Sequence, residues 1–312
     1  MPTTAQVIAK ERRALMKLMD TGAHKIPNRQ VDENLLIATW NIAHFSNKKK
    51  SRALQYIADI CERFDIVAIQ EVKTDLRGLA RLQSLLPGNY KILVSDPTGN
   101  YERMAFLYDK RTVVATGLVC EIGFGGTLAQ PSAFQFARMP YCASFRAGRF
   151  DFVIASVHIA EASSLGAQGL RLREKEIDCL VEFVKKRSDQ EAGKVFDRDF
   201  FIVGDFNIQK DGDRFFKALT QAPVPRFIMP PGMNNTGTNF DQTKTFDKIA
   251  WLPRDDFKFS GKFGVVPFGK VLFKETGQAR KAARKAISDH LPLWAEFKIN
   301  ELTQELDQII NP

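Results

Sequence analysis

The chain has 312 residues, 44% of them apolar, which is enough for a large buried core; no apolar run approaches the ~20 residues of a membrane span. A formal net charge of +9 favours a polyanionic partner, whether nucleic acid or an anionic membrane surface. Cys61, Cys120, Cys142 and Cys179 are far apart, without CxxC or zinc spacing, and Met1 to Leu18 is basic without a continuous apolar stretch; the expectation is a soluble cytoplasmic protein with free thiols and no secretory signal.

In chain order, residues 1–33 read as an extension. Ala5 to Met19 has helical rhythm, with apolar Val7, Ile8, Leu15, Leu18 and Met19 beside basic Lys10, Arg12, Arg13 and Lys17, and Gly22 and Pro27 end it. Packing on the body is its expected role. Leu35 to Asn41 reads as a strand ending on an amide. Lys48, Lys49 and Lys50 then lead into a helix over Arg52 to Arg63, where they oppose the helix dipole and would welcome an anion. Asp65 to Glu71 is a second buried strand ending on a carboxylate. Strand, helix, strand predicts a parallel pair with Asn41 and Glu71 at one sheet edge, where α/β sheets hold ligands.

A helix is predicted over 76–86, with strands at 90–94 and 103–108 around a polar loop. Residues 121–137, rich in Gly and Phe with Glu121 the one acid, read as a surface loop. Alternating strands follow at 141–147 and 150–157, the second running into His158. After a helix over about 167–187 comes Phe201-Ile-Val-Gly-Asp-Phe-Asn-Ile208, a buried strand whose Asp205 and Asn207 leave on the same face if the backbone stays extended. Loop-like residues 221–245 precede a strand at 245–251 that contains Asp247. Alternating apolar residues and glycines fill 260–277. A basic segment, 280–285, leads to Ser288-Asp289-His290 and a last strand to Ile299, and the tail 300–312 reads as a short helix. There is no sequence repeat; the expected division is a 1–33 extension, a catalytic domain over 34–299 and a 300–312 tail.

The polar strand ends supply Asn41, Glu71, His158, Asp205, Asn207, Asp289 and His290. A buried carboxylate is costly unless paired, and carboxylates plus amides without cysteine or histidine clusters fit a hard cation, Mg²⁺ or Mn²⁺, better than zinc.

The order Thr39-Trp-Asn41, Gln70-Glu71, Ser156-Val-His158, Gly204-Asp-Phe-Asn207, Ser288-Asp-His290 resembles the endonuclease/exonuclease/phosphatase superfamily, and within it the deoxyribonuclease I branch, over roughly residues 35–298. Val94 to Gly99, Tyr101-Glu-Arg103, Thr245-Phe-Asp-Lys-Ile249 and Ala286 to His290 resemble that branch too. The resemblance implies a four-layer α/β/β/α sandwich of two mixed sheets flanked by helices. It implies His158 paired with Glu102 and His290 with Asp247, a pairing that would fix each tautomer and favour imidazolium. It makes Glu71 the foremost metal ligand, assisted by Asn41 and Asp289, and gives Asp205 and Asn207 the orienting of water, phosphate or a second ion. Arg138 matches the branch's phosphate-contacting arginine, and Lys73 and Tyr101 stand near its DNA-contacting positions, Tyr101 one residue closer to Glu102 than the branch spaces it.

The branch's disulfide-forming cysteines and acidic calcium loop have no counterpart here. The implied activity is metal-dependent hydrolysis of double-stranded DNA to 3′-hydroxyl and 5′-phosphate ends. The alternatives are a phosphatase or phospholipid phosphodiesterase of the same superfamily, of the inositol phosphate or sphingomyelin type, and a non-catalytic nucleic-acid-binding module.

Overall fold

The computed structural model describes residues 3–123, 135–161, 166–190, 199–208, 228–230, 232–252 and 259–300, with positions 217, 306, 309 and 310. In chain order its strands are β1 (Asn34–Phe45), β2 (Ile66–Lys73), β3 (Tyr90–Val94), β4 (Glu102–Asp109), β5 (Val114–Glu121), β6 (Tyr141–Ala147), β7 (Phe150–His158), β8 (Asp199–Asp205), β9 (Asp247–Leu252), β10 (Phe259–Val265) and β11 (Leu293–Lys298). The helices are α1 (Thr4–Asp20), α2 (Ser51–Cys61), α3 (Arg77–Leu85), α4 (Gly166–Gln190) and α5 (Ala279–Ala286).

The strands form a six-stranded sheet, β10-β11-β1-β2-β4-β3, and a five-stranded sheet, β5-β6-β7-β8-β9. Among the described residues only β1–β2 and β7–β8 pair in parallel, and a helix crosses over in each case, as parallel neighbours require. Aromatic rings join the sheets face to face: Phe106 of β4 stacks on Tyr141 of β6 at 5.3 Å, and Phe201 of β8 meets the edge of Phe297 of β11 at 5.0 Å. Gln70 of β2 donates to Ser156 Oγ of β7 at 2.9 Å, a polar tie between the sheets just below one edge.

Ile177 and Leu180 of α4 cover the outer face of the second sheet, while Leu54, Ile57 and Cys61 of α2 join the core of the first. This is the four-layer sandwich implied by the resemblance. α1 joins the same core as β1 through Leu15 and Met19, both fully buried. One turn before Leu15, α1 binds α2: Arg12 makes two bonds to Asp59, at 2.7 and 2.8 Å, and buried Glu11 accepts from Arg52 and Tyr56.

One local feature departs from the sequence expectation. β5 has no predicted counterpart; it is an edge strand of half-buried and exposed side chains, broken in register around Gly117 at φ 115°, so it lacks an apolar alternation. The 121–137 loop falls largely on 124–134, outside the described residues, as do 221–227 of the proline-rich loop and most of the tail. Among the described residues no helix is long and apolar enough to cross a membrane.

Candidate active site

Strand register builds half of the site. His158 at the end of β7 lies opposite Asp205 at the end of β8, which lies opposite Asp247 at the start of β9. Directly opposed residues share a face, so three ionisable groups stand in a row across one sheet edge. All are buried. Two carboxylates side by side repel unless positive groups intervene, and His290 intervenes. Its Nδ1 bonds Asp247 Oδ2 at 2.8 Å, and its Nε2 lies 3.7 Å from Asp205 Oδ2. His158 Nε2 approaches the same Asp205 oxygen at 3.6 Å.

His290 is carried there from the other sheet. After α5 the chain is stapled over the end of β1: Ser288 Oγ donates to Asn41 O at 2.6 Å and accepts from His290 N at 3.0 Å, while Trp40 Nε1 donates to His290 O at 3.0 Å.

The first sheet supplies Asn41 and Glu71. Alternation along β2 would turn Glu71 away from the face that Gln70 shares with Ser156. Instead the β1–β2 and β2–β4 registers both break here, and Glu71 adopts φ 60°. Such irregularities re-aim a side chain beside active sites. Glu71 Oε1 accepts from Asn41 Nδ2 at 3.1 Å, and the same amide reaches Asp205 Oδ2 at 3.0 Å, joining the two sheets' carboxylates. Glu71 Oε2 accepts from His44 N at 2.8 Å. Burial pushes the Glu71 carboxyl up, but His158, the His44 N–H and the Asn41 amide outweigh it and hold the group below the usual carboxylate range.

The two histidines differ sharply. Glu102 Oε2 lies 3.6 Å from His158 Nδ1, which has no hydrogen-bond partner among the described residues. Glu102 is already engaged, accepting from Lys73 Nζ at 2.8 Å and from Arg138 Nε at 2.7 Å. Burial lowers His158 to about 4; Asp205 and Glu71 pull upward, and Arg138 and His290 push further down. Burial is thus the largest influence on His158 and disfavours the imidazolium that a carboxylate partner would favour, while Glu102, engaged by Lys73 and Arg138, stops 3.6 Å short of the ring. At His290 burial also opposes charge, but Asp247 and Asp205 outweigh it and lift the group to about 10.

Asn207, at φ 52°, is fixed by its own side chain, with Nδ2 donating to Ile159 O at 2.8 Å and its N–H donating to Asp205 Oδ1 at 2.9 Å. Arg138 and Lys73 converge on Glu102 beside His158. Tyr101 is 79% exposed, its carbonyl held by Thr74 Oγ1 at 3.1 Å, so its ring is free to meet a partner. Asp289 stands half-exposed at the rim, 3.9 Å from Arg284.

Sequence reading missed several contributors. Glu176 of α4 accepts from Ala137 N at 2.6 Å and Ala160 N at 2.8 Å, fixing the backbones next to Arg138 and His158. Arg173 on the same helix donates to Ala160 O and Asn207 O. Lys49 turns inward to Ile287 O; burial lowers it to about 8, with Glu71 and Asp289 pulling the other way. Its place in a lysine triplet gave no sign that it alone turns in. His44, three residues after Asn41, was legible only as one of four histidines.

The donors suit a hard cation. Asn41 Nδ2 must face the two carboxylates, which leaves Oδ1 buried with no hydrogen-bond partner among the described residues, and Asp247 Oδ1 is in the same position. Asp205, Asp247 and His290 bring donor atoms within 4.8 Å of one another, a group that can hold a metal ion. Glu71 and the unpaired Asn41 Oδ1 add hard oxygen donors beside that group.

Fold and site together place the chain among the helix-flanked double-sheet hydrolases. Residues 38–290 match the model of the Endonuclease/Exonuclease/phosphatase family, and the chain belongs to that family. Within it the likeness is to deoxyribonucleases. The chain is 28% identical over 280 residues to a Thioalkalivibrio sp. (strain K90mix) deoxyribonuclease, covering 86% of this chain and 72% of that one. It is 26% identical over 291 residues to Rattus norvegicus deoxyribonuclease-1, covering 85% and 92%. Truncated Caenorhabditis elegans TDP2 shares the fold at TM-score 0.59 and 18% identity, over 85% of this chain and 97% of that one. A Bacteroides thetaiotaomicron mannosyl-6-phosphatase does so at TM-score 0.56 and 17% identity, over 84% and 98%.

Proposed function

We propose that this protein is a divalent-metal-dependent endonuclease that hydrolyses double-stranded DNA to 3′-hydroxyl and 5′-phosphate ends. One observation carries the reading: His158 and His290 direct Nε2 at a single carboxylate oxygen, at 3.6 and 3.7 Å, with surroundings that favour opposite protonation states. Groups driven apart in this way mark a general base and a general acid.

Neutral His158 accepts a proton from the attacking water at Nε2. The water oxygen bonds to phosphorus as the bond to the 3′ oxygen breaks, and His290 gives its Nε2 proton to that leaving oxygen. Asp247 holds the His290 tautomer through Nδ1. Asp205, between the rings, favours the imidazolium, and Asn207 steadies Asp205 through its N–H. Arg138 and Lys73, held on Glu102, bring positive charge towards the phosphate, and Tyr101 offers an exposed ring to the duplex. Glu71, Asn41 and Asp289 would hold Mg²⁺ or Mn²⁺, which supplies positive charge to the phosphate oxygens when bound. The net charge of +9 and the deoxyribonuclease relatives favour a polyanionic substrate over a small phosphate ester.

Incubation with supercoiled plasmid and Mg²⁺ or Mn²⁺ tests this. Nicking that EDTA stops and that His158→Ala lacks is the expected result. Intact plasmid, with metal-dependent release of phosphate or headgroup from inositol phosphates or phospholipids, would transfer the site to the family's phosphatase or lipid chemistry. No turnover of any of these would leave a binding module.

A further inference from the structure

The loop between β1 and α2 carries Lys48, Lys49 and Lys50 and is held on two sides. Gly78 of α3 packs against it so closely that an added Cβ would lie 2.5 Å from the Ser46 carbonyl carbon. Three residues further along α3, Arg81 donates to Asn47 O at 3.0 Å, Lys49 O at 3.1 Å and Ser51 Oγ at 3.0 Å. Lys49 completes the clamp by donating to Ile287 O, immediately after α5. Lys48 and Lys50 on either side of it are exposed.

α5 reads Ala-Arg-Lys-Ala-Ala-Arg-Lys-Ala. It buries Ala283, exposes Arg280, Lys281, Arg284 and Lys285, and contains no acid. Opposing charge is limited: Asp241 takes Arg280 at 2.8 Å and lies 3.9 Å from Arg284, and Asp289 lies 3.9 Å from Arg284. Lys48, Lys50, Lys281 and Lys285 have no ion pair among the described residues. No large apolar side chain is exposed along residues 46–51 or 279–286, so the surface lacks what a lipid interface would insert.

We infer that the clamped loop and α5 form one basic ridge that binds the phosphate backbone of duplex DNA beyond the scissile phosphate. The inference rests on the nuclease reading above. α5 leads in sequence into Ser288-Asp289-His290, and the Lys49 bond to Ile287 O ties the lysine loop to the same point, so both basic segments adjoin the site. Clamping fixes the lysine backbone before binding, which lowers the ordering cost of each phosphate contact.

Duplex binding by fluorescence anisotropy, in the His158→Ala background over a range of NaCl concentrations, tests it. Each phosphate neutralised contributes roughly 0.9 to the slope of log K against log salt. Changing Lys48, Lys50, Lys281 and Lys285 together to Ser is expected to make the slope shallower by about 3.6. A control removes the same charge elsewhere, with Lys10, Lys17, Lys91 and Lys110, all exposed on α1 or around β3 and the far end of β4, changed to Ser; its slope is expected to stay within about 1 of the parent. Thermal unfolding checks that each variant is folded. Lys281→Ser with Lys285→Ser, which alters only exposed α5 side chains, repeats the test with a change of about 2. Equal slopes for ridge and control variants overturn the ridge and leave the nuclease reading standing. A parent protein that binds no duplex overturns both.

Discussion

His158 and His290 reach Asp205 Oδ2 from different sheets, at 3.6 and 3.7 Å, yet their surroundings drive them to opposite protonation states. His290 owns a carboxylate: Asp247 bonds its Nδ1 at 2.8 Å. His158 only shares one, because Glu102 is bound by Lys73 and Arg138. Burial lowers both rings, and only His290 has enough negative charge to overcome it.

The kcat/KM profile against pH should therefore have an acid limb where His158 takes up a proton, near 4, and an alkaline limb where His290 loses one, near 10. Asp247→Asn removes the largest influence that raises His290. The alkaline limb should move towards neutrality by roughly one to three units while the acid limb stays in place. An alkaline limb unmoved by the substitution would belong to another group.

The same shifts set a stability profile in metal-free protein. Unfolded histidine titrates near 6.5. Between about 4 and 6.5 the unfolded chain holds a proton that folded His158 refuses, so this group makes stability rise with pH. Above 6.5 folded His290 keeps a proton that the unfolded chain has lost. Its contribution is complete below 6.5 and disappears as pH rises through about 10. Denaturant unfolding of His158→Gln minus parent should isolate the acid side, and His290→Gln minus parent the alkaline side. Flat difference curves would count against both assignments.

How far this was visible in the sequence depends on distance along the chain. Apolar runs that stop at Asn41, Glu71, His158 and Asp205 mark buried strands with polar tips, and that pattern survives without coordinates. The sharing of Glu102 does not, because Lys73 and Arg138 arrive from β2 and from the segment before β6. The φ of 60° that turns Glu71 towards Asn41 is likewise hidden in an ordinary Gln-Glu pair. β5 was missed because its register breaks between Ala115 and Val119, around Gly117, which interrupts the apolar alternation a strand would display.

Glu71 is the testable centre of metal binding. Mg²⁺ or Mn²⁺ at about 100 times its Kd should stabilise the fold by about 2.7 kcal/mol. Glu71→Gln should remove most of that gain in thermal unfolding, independently of turnover. An equal gain in the variant would move the ion to the Asp205, Asp247 and His290 group.

Arg138→Ala should lower kcat by about 10²–10³-fold, as expected for loss of a donor to a developing phosphate charge. Glu102→Gln keeps the arginine but removes the anchor that Arg138 and Lys73 share, and should cost less. Steady-state kinetics on plasmid would contradict this order if Glu102→Gln were the more severe change.

Gly78→Ala introduces a Cβ 2.5 Å from backbone at Ser46, which flexible side chains cannot relieve. Chemical denaturation should show a loss of about 1–3 kcal/mol. If the lysine loop contributes to the ridge, duplex affinity should fall with it under conditions where the variant remains folded; unchanged stability would mean the loop yields freely.

The most direct test of the opposed histidines is ¹⁵N-detected NMR of the imidazole rings in metal-free protein at pH 7. There are four histidines, so single substitutions suffice for assignment. The His158 ring should be neutral, and the His290 ring should carry protons on both nitrogens, with Nδ1–H bonded to Asp247. Two rings titrating together near 6.5 would contradict the division of acid and base between them.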